Sequence, residues 1–171
     1  MLTNILSSIL IFIITNFYSL QYKNIDGDVV SVNTYSGKKV LIVNIATTGP
    51  YSNQLVGLQQ LQQQLGDSLV IIAIPSNSFG NEPNSNAAIK TYCTSQIHST
   101  FIITEKMDVI QSSIHSLPYW LTHISENGAY GNAFSSDFNK FLIDREGNLV
   151  GIFSANVAPT DLKIINAINS Y

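Results

Sequence analysis

The chain has 171 residues, of which 45% are hydrophobic and 11% charged, and its formal net charge is −3. This length is sufficient for one domain with a packed core. Nucleic-acid binding requires clustered Lys and Arg to neutralise phosphates, and no such cluster occurs, so we expect no nucleic-acid partner. The single cysteine, Cys93, excludes an intramolecular disulfide and any zinc or iron–sulfur site built from several cysteines.

The N-terminal segment MLTNILSSILIFIITNFYSLQ carries no charged side chain, and its apolar stretch runs from Ile5 to Phe17. That length is typical of a signal peptide and short for a membrane span. No Lys or Arg precedes the apolar stretch and no small-residue cleavage site precedes Leu20. Export with cleavage, an uncleaved membrane anchor and a cytoplasmic N-terminal helix therefore remain as alternatives. We assign residues 1–19 to a signal peptide or N-terminal anchor and residues 20–171 to the domain. The protein is thus predicted to be exported (periplasmic or secreted) or anchored to a membrane.

Beyond Leu20, hydrophobic periodicity and turn residues predict alternating strands and helices. The first half of the domain is predicted to contain a hairpin-like entry around 29–35, a central strand over 39–47, a helix over 52–65 and a buried strand over 69–75. A helix over 87–97, capped by Ser85 or Asn86, and a short strand over 100–104 follow. The remainder is predicted to be a mixed segment over 110–124 interrupted by Pro118, a hairpin of 138–144 with 149–154, and a helix over 161–168 capped by Thr160.

Alternating buried strands and amphipathic helices predict an α/β sandwich whose central mixed sheet is flanked by helices. In the helix over 52–65, the four leucines Leu55, Leu58, Leu61 and Leu65 fall on one face and glutamines occupy most of the remainder. A closing hairpin followed by a helix is the arrangement that ends a thioredoxin-like fold. We therefore predict a thioredoxin-like α/β fold.

Several ordered motifs resemble the glutathione peroxidase family, from Tyr22 to Ile168. VLIVNIAT (residues 40–47) resembles the first core strand of that family. IPSNSFGNEPNSNAAI (74–89) resembles its FPCNQFGxQEPGSNEEI motif, and FNKFLIDREGNLVGIFS (138–154) resembles FTKFLIDRxGxVVxRFS. The resemblance implies a thioredoxin-like fold and an activity that reduces hydroperoxides in the response to oxidative stress.

The same resemblance implies that the catalytic residues of the family are replaced in this chain. The nucleophilic Cys or Sec position falls on Gly49, the Gln position on Ser78, and the Trp-Asn pair on Ser136 and Asp137. Glycine has no side chain that could attack a peroxide. The sequence therefore predicts an inactive, vestigial site at these positions. If the fold is kept, Ser78, Ser136 and Asp137 surround Gly49 and form a small, slightly acidic pocket. This pocket either binds a polar small molecule or is a solvated groove without a ligand. Free backbone amides at the start of the following helix are a further anion-binding possibility.

Cys93 resembles the resolving cysteine of thioredoxin-dependent members of the family. Without a peroxidatic partner it has no disulfide to form within the chain, and the simplest interpretation is a small apolar residue of the core. The alternatives are a weak one-Cys thiol peroxidase and an intermolecular disulfide. The lone Trp120 is interpreted as a packing residue, His115 as structural and His98 as exposed. No acidic or Cys partner completes a metal site with His115 and His123.

Three hypotheses of function follow from these observations. The first is a non-catalytic, glutathione-peroxidase-like protein that binds a polar small molecule or a protein partner, or serves as a structural module, without a cofactor or metal. The second is a weak thiol peroxidase that uses Cys93. The third, a redox or metal chaperone, lacks the paired cysteines that such proteins carry near the first helix. The short span between Leu121 and Ser136 favours a monomer.

Overall fold

The computed structural model describes residues 14–114 and 116–171. Its strands are the short hairpin β1 (Gln21–Lys23) and β2 (Val29–Ser31), the central β3 (Lys39–Ile45) and β4 (Leu69–Pro75), the edge strand β5 (Ile102–Ile103), and the closing pair β6 (Lys140–Ile143) and β7 (Leu149–Phe153). Its α-helices are α1 (Gln54–Leu65), α2 (Asn86–Ser95), α3 (Leu117–Thr122), α4 (Ile124–Asn127) and α5 (Leu162–Ser170).

The main sheet has the strand order β5-β4-β3-β6-β7. β3 runs parallel to β4 and antiparallel to β6, so the sheet is mixed. All seven residues of β3 are buried, as expected for an apolar strand at the centre of a sheet covered on both faces. Ile45 pairs with Pro75, so both central strands end at the same edge of the sheet. The segments that follow them therefore lie side by side.

Helices cover both faces of the sheet. On one face, Leu55, Leu58 and Leu61 of α1 lie in a core cluster with residues of α2 and α5. On the other face, Trp120 of α3 lies in a second cluster with the aromatic residue Phe17. The predicted α/β sandwich and the predicted leucine face of the first helix are confirmed.

Helix ends differ in detail from the sequence predictions. Ser85 caps α2 by accepting a 3.3 Å hydrogen bond from the Ala88 N–H, as one of the two predicted caps. α5 is capped by Asp161, whose carboxylate accepts from the Lys163 N–H at 2.8 Å, so the predicted Thr160 cap is wrong. The carboxylate thereby satisfies an amide of the first turn that has no partner within the helix, and its charge favours the positive end of the helix.

The closing hairpin of β6 and β7 is confirmed, and Asp144 fixes its turn. The Asp144 carboxylate accepts hydrogen bonds from the Glu146 N–H at 3.0 Å and from both the backbone and the side-chain N–H of Asn148 at 2.8 and 2.9 Å. Upstream of the hairpin, Phe138 has a φ of +61°, which is rare for a bulky residue. Its N–H donates to the Asn44 carbonyl at 2.7 Å, so the sharp bend is held against the end of β3.

The folded part of the chain includes residues upstream of Leu20. Phe17 is buried against Trp120, with ring centroids 5.0 Å apart. The Trp120 indole N–H donates to the Thr15 carbonyl at 2.8 Å. These contacts confirm Trp120 as a packing aromatic. They also extend the packed structure into the segment assigned to a signal peptide or anchor, of which residues 1–13 lie outside the described part.

Within the described ranges, no helix combines the length and the hydrophobicity needed to cross a membrane.

Candidate functional site

The turn between β3 and α1 contains Gly49, the position that the family resemblance assigns to the nucleophile. Gly49 is exposed and has a φ of +88°, a conformation that residues with a side chain rarely adopt. The turn closes on itself: the Ser52 N–H and the Ser52 hydroxyl both bond to the Gly49 carbonyl, at 3.3 and 3.0 Å. The Gln54 and Leu55 amides likewise bond to the Tyr51 and Ser52 carbonyls. The amides of Ser52, Gln54 and Leu55 are therefore already hydrogen-bonded within the turn and are not free for an anion.

Asn81 fills the space beside Gly49. An ideal Cβ atom built on Gly49 would lie 2.7 Å from Asn81 Cγ, 2.9 Å from its Cβ and 3.0 Å from its Oδ1. Contacts this short require the Asn81 side chain or its backbone to move. A residue with a side chain at position 49 is therefore opposed both by the backbone conformation and by a neighbouring side chain.

Asp137 lies on the far side of Asn81. The Asn81 side-chain N–H donates to Asp137 Oδ2 at 2.7 Å, whereas the buried Asp137 Oδ1 has no hydrogen-bond partner among the described residues. Burial raises the pKa of Asp137, the Asn81 hydrogen bond opposes that rise, and the negative charge of Glu82 adds to it. The structure thus connects Gly49 and Asp137, both predicted site residues, through Asn81, which the sequence analysis did not single out.

Glu82 ties the turn to the segment that follows β4. Its fully buried carboxylate accepts from the Thr47 N–H at 2.5 Å and from the Thr47 hydroxyl at 2.9 Å. It also accepts from the Asn84 N–H at 3.3 Å. The Glu82 N–H in turn donates to the Asn77 side chain at 3.0 Å. Because a buried carboxylate is tolerated only when it is hydrogen-bonded, this set of bonds fixes the two segments relative to each other.

Ser78 faces a different part of the surface. Its hydroxyl interacts with the Ser76 hydroxyl at 2.8 Å, donates to Asp108 Oδ1 at 2.9 Å and accepts from the Val109 N–H at 3.0 Å. Hydrogen bonds from the backbone amides of Gln111 and Ile110 lower the pKa of Asp108. Ser78 therefore lines an open hollow of about 340 Å³ beside Asp108, and its described hydrogen bonds do not include Gly49 or Asp137.

The main-chain groups of Ser136 are held near the end of β3 by two asparagine side chains. Its carbonyl accepts from the Asn44 side chain at 2.9 Å, and its N–H donates to Asn139 Oδ1 at 3.1 Å. Its hydroxyl donates to the Asp137 carbonyl at 3.0 Å. Asn44 and Asn139 are themselves linked, since the Asn139 N–H donates to Asn44 Oδ1 at 2.9 Å.

The polar residues that build this region were not predicted, although a signal for one of them was present. Asn44 is the single uncharged polar side chain within the buried strand β3, and a buried polar residue in an apolar run indicates a specific partner. Asn81 carried no such signal, because it is one of many asparagines in the loop that it belongs to.

Cys93 lies on the buried face of α2, where its side chain is fully enclosed in the core. Burial raises the pKa of its thiol to about 11, and the negative charge of Glu82 contributes to the rise. The thiolate is the nucleophilic form of cysteine, so this environment suppresses reactivity. The interpretation of Cys93 as a small apolar core residue agrees with its position.

The histidines do not form a metal site in the described part of the chain. His98 is exposed, as predicted, and has a φ of +53°. His123 stacks on Tyr119 with ring centroids 3.7 Å apart. His115 lies outside the described residues. Among the residues that are described, no group of three or more His, Cys, Asp or Glu side chains could hold a metal ion.

The fold places the chain in a known structural class. It has the thioredoxin-like arrangement of solved structures that cover nearly all of it. One is a thioredoxin-family thiol:disulfide interchange protein from Chlorobium tepidum TLS, with a TM-score of 0.64, 17% identity, and coverage of 91% of this chain and 97% of that one. Another is the apo crystal structure of Trgpx, with a TM-score of 0.67, 27% identity, and coverage of 91% and 96%.

The sequence comparisons narrow the class to a family. The glutathione peroxidase family model matches residues 17–122. A glutathione peroxidase homolog, BsaA, from Bacillus subtilis is 33% identical over 152 residues, which cover 86% of this chain and 94% of the relative. The hydroperoxy fatty acid reductase gpx1 of Synechocystis is 32% identical over 152 residues, which cover 85% and 90%. The chain belongs to the glutathione peroxidase family, as its motifs predict.

Proposed function

We propose that this chain is a glutathione-peroxidase-family protein that does not reduce peroxides at the family site and acts instead as a binding or structural module. The observation that carries the proposal is the packing of Asn81 against Gly49. A missing side chain alone would leave a cavity where the thiol belongs. Here the space is occupied by a side chain that is hydrogen-bonded to Asp137 at 2.7 Å.

The neighbouring hydroxyl groups do not supply a substitute nucleophile. The Thr47 hydroxyl donates to Glu82 at 2.9 Å, the Thr48 hydroxyl donates to the Asn81 carbonyl, and the Ser52 hydroxyl donates to the Gly49 carbonyl. Each hydroxyl hydrogen is therefore engaged in holding the turn. A hydroxyl also needs an adjacent general base to become a nucleophile. Glu82, whose carboxylate is hydrogen-bonded to Thr47, is committed to fixing the turn.

The competing hypothesis is a weak thiol peroxidase that uses Cys93. In such a reaction the thiolate would attack the O–O bond of a hydroperoxide, giving a cysteine sulfenic acid and releasing the alcohol. The reaction requires peroxide to reach the sulfur, which is fully buried. It also requires a thiolate, which burial disfavours by raising the pKa to about 11.

The remaining features of the proposed role concern partners and location. We propose that the partner is a polar small molecule or a protein, because the exposed turn residues Thr48 and Gly49 and the half-buried Asn81 present polar groups at this surface. We propose that the domain acts as a monomer and needs no cofactor. The apolar, uncharged segment at residues 1–19 supports export to the periplasm or the cell exterior, or attachment to a membrane.

Peroxide consumption by the purified protein tests the proposal. The assay uses hydrogen peroxide and an organic hydroperoxide, each with glutathione and with a thioredoxin system, and compares the native chain with Cys93→Ser. We expect no turnover above the protein-free rate in any combination. Turnover that survives Cys93→Ser would refute the proposal, whereas turnover lost in Cys93→Ser would establish the competing hypothesis.

A further inference from the structure

Three isoleucines form an exposed apolar surface on the side of the molecule that carries α3 and α4. Ile14, Ile110 and Ile124 are 58%, 57% and 59% exposed, which is unusual for three large aliphatic side chains in one region. They line two adjoining hollows of about 330 and 480 Å³, which share Ile124 and Ser125. We refer to this surface, defined by Ile14, Ile110 and Ile124, as the isoleucine face.

Among the described residues that line the isoleucine face, none carries a charge. The first hollow is lined by Ile14, Ile124, Ser125 and Gly128, and the second adds Val109, Ile110, Thr122, His123, Gly131 and Ala133. The nearby carboxylate of Glu126 is turned toward Thr15, whose hydroxyl donates to it at 2.5 Å. A surface with this composition fits an apolar partner. It presents no positively charged side chain that would attract an anionic partner.

Three hydrogen bonds fix the chain where it enters the isoleucine face. The Thr15 N–H donates to the Glu126 carbonyl at 2.9 Å, its hydroxyl bonds to the Glu126 side chain, and its carbonyl accepts from the Trp120 indole. Ile14 consequently packs over Gly128, where a Cβ atom would lie 2.9 Å from Ile14 Cδ1. Residues 1–13 therefore connect to the fold at the isoleucine face.

The segment attached at this point is itself apolar. Residues 1–13 contain nine large hydrophobic side chains (Met1, Leu2, Ile5, Leu6, Ile9, Leu10, Ile11, Phe12 and Ile13) and no charge. The two hollows have the size of small-molecule pockets, so they hold only a few of these side chains. A lipid bilayer is a partner whose chemistry matches both the apolar face and the apolar sequence that precedes Ile14.

We infer that the isoleucine face lies against a lipid bilayer, with residues 1–13 entering the same membrane. This inference rests on the proposed membrane attachment through the N-terminal segment and is independent of the proposed loss of catalysis. Its driving force is the burial of apolar area, so we expect binding to neutral vesicles without a requirement for anionic lipid. The face orients the domain, while the segment supplies most of the affinity.

Site-specific fluorescence on the full-length chain tests the inference. In a Cys93→Ala background, a polarity-sensitive probe is attached through Ile124→Cys or, as the matched control, through Leu162→Cys. Leu162 is 69% exposed on α5, outside the isoleucine face. On addition of phosphatidylcholine vesicles, we expect a blue shift and quenching by brominated lipid at position 124, with no change at 162. Circular dichroism confirms that both labelled chains are folded.

A second measurement uses vesicle partitioning of the full-length chain. The double variant Ile110→Ser, Ile124→Ser should partition into the same vesicles roughly tenfold more weakly than the native chain, because apolar contact area is lost. The control pair Val29→Ser, Leu162→Ser should leave partitioning unchanged, as both residues are exposed outside the isoleucine face. Added salt should have little effect.

Several outcomes would overturn the inference. If the chain binds vesicles while the probe at position 124 still reports a water-exposed environment, residues 1–13 enter the bilayer without the isoleucine face. A blue shift without vesicles that depends on protein concentration would assign the face to a second copy of the chain, and one independent of concentration would assign it to residues 1–13 of the same chain. Absence of vesicle binding would reject both the inference and the proposed membrane attachment, without bearing on the peroxidase assay.

Discussion

Asn81 and Asp137 are joined by a 2.7 Å hydrogen bond that spans the edge of the sheet where β3 and β4 end. The bond keeps the Asn81 side chain over Gly49, in the space where a side chain at position 49 would begin. At the position where the family has its nucleophile, the missing side chain is therefore accompanied by the packing of Asn81 into the adjacent space. This coupling has consequences for stability that can be measured separately from any activity.

The first prediction concerns Gly49→Cys. We expect this variant to be destabilised by about 2–4 kcal/mol, because the positive φ and the contact with Asn81 both oppose a side chain. Gly27→Cys is the matched control, since Gly27 has a φ of +90° and open space around it. It should show only the cost of the backbone conformation, about 1 kcal/mol. Denaturant unfolding gives both values.

A double-variant cycle separates the steric contribution. Asn81→Gly removes the atoms that approach position 49, so we expect it to recover part of the stability lost in Gly49→Cys. Asn81→Gly should recover none of the stability lost in Gly27→Cys. Equal effects of Asn81→Gly in both backgrounds would show that Asn81 does not obstruct position 49. Neither single variant is expected to reduce peroxide.

The second prediction concerns Asp137→Asn. Because burial raises the pKa of Asp137 above 3.8, the folded state holds its proton more tightly than the unfolded state. The Asp137 contribution to stability is therefore complete below pH 3.8 and falls as the pH rises through the raised pKa. Asp137→Asn should remove this fall and stabilise the protein at pH 7 by about 1 kcal/mol.

Asp144→Asn is the matched control for Asp137→Asn. Asp144 is similarly buried, but its carboxylate accepts three hydrogen bonds in the turn between β6 and β7. We expect Asp144→Asn to be destabilising by about 1–3 kcal/mol at pH 7, opposite in sign to Asp137→Asn. Urea unfolding from pH 3 to 7 provides the comparison, and equal signs would contradict the assigned environments.

The third prediction concerns the buried lysine Lys140. Its ammonium group donates to the Phe138 carbonyl at 2.8 Å, and burial lowers its pKa from 10.5 to about 8. Between these two values the unfolded state binds more protons, so stability should increase with pH. Lys140→Met should abolish this alkaline increase, whereas the exposed Lys163→Met should retain it. Thermal unfolding between pH 7 and 10.5 measures the difference.

The fourth prediction concerns the reactivity of Cys93. In the folded protein at pH 7.5, we expect a thiol reagent to label Cys93 at least about a hundredfold more slowly than in denaturant, because the sulfur is buried and protonated. Thr94→Cys, in a Cys93→Ala background, places a thiol on the exposed side of α2 and should react rapidly. Fast labelling of native Cys93 would instead favour the thiol peroxidase hypothesis.

The sequence was sufficient for the fold because its strongest patterns are local. The apolar runs of β3 and β4 and the leucine face of α1 are visible along the chain, and the structure confirms all three. Caps and strand ends were less well predicted. Asp161 and Thr160 are both acceptable N-caps by residue type, and only the position of the helix start decides between them.

The site was predicted less completely, because it depends on contacts between distant segments. The resemblance identified Gly49 and Asp137, but it could not indicate that Asn81, which is 56 residues from Asp137 in the sequence, lies between them. It also grouped Ser78 with them, although the Ser78 hydroxyl is engaged with Asp108. Sequence alignment assigns positions, whereas the rotamer that each side chain adopts depends on neighbours that the alignment does not specify.

The burial of Phe17 restricts where the chain can be cut if a leader peptide is removed. A peptidase acting between residues 19 and 20 would remove the ring that packs on Trp120 and would leave the Trp120 indole without its acceptor at Thr15. A mature protein that keeps this core must begin at or before Thr15. Export and maturation are thus constrained by the same aromatic contact that closes one face of the sheet.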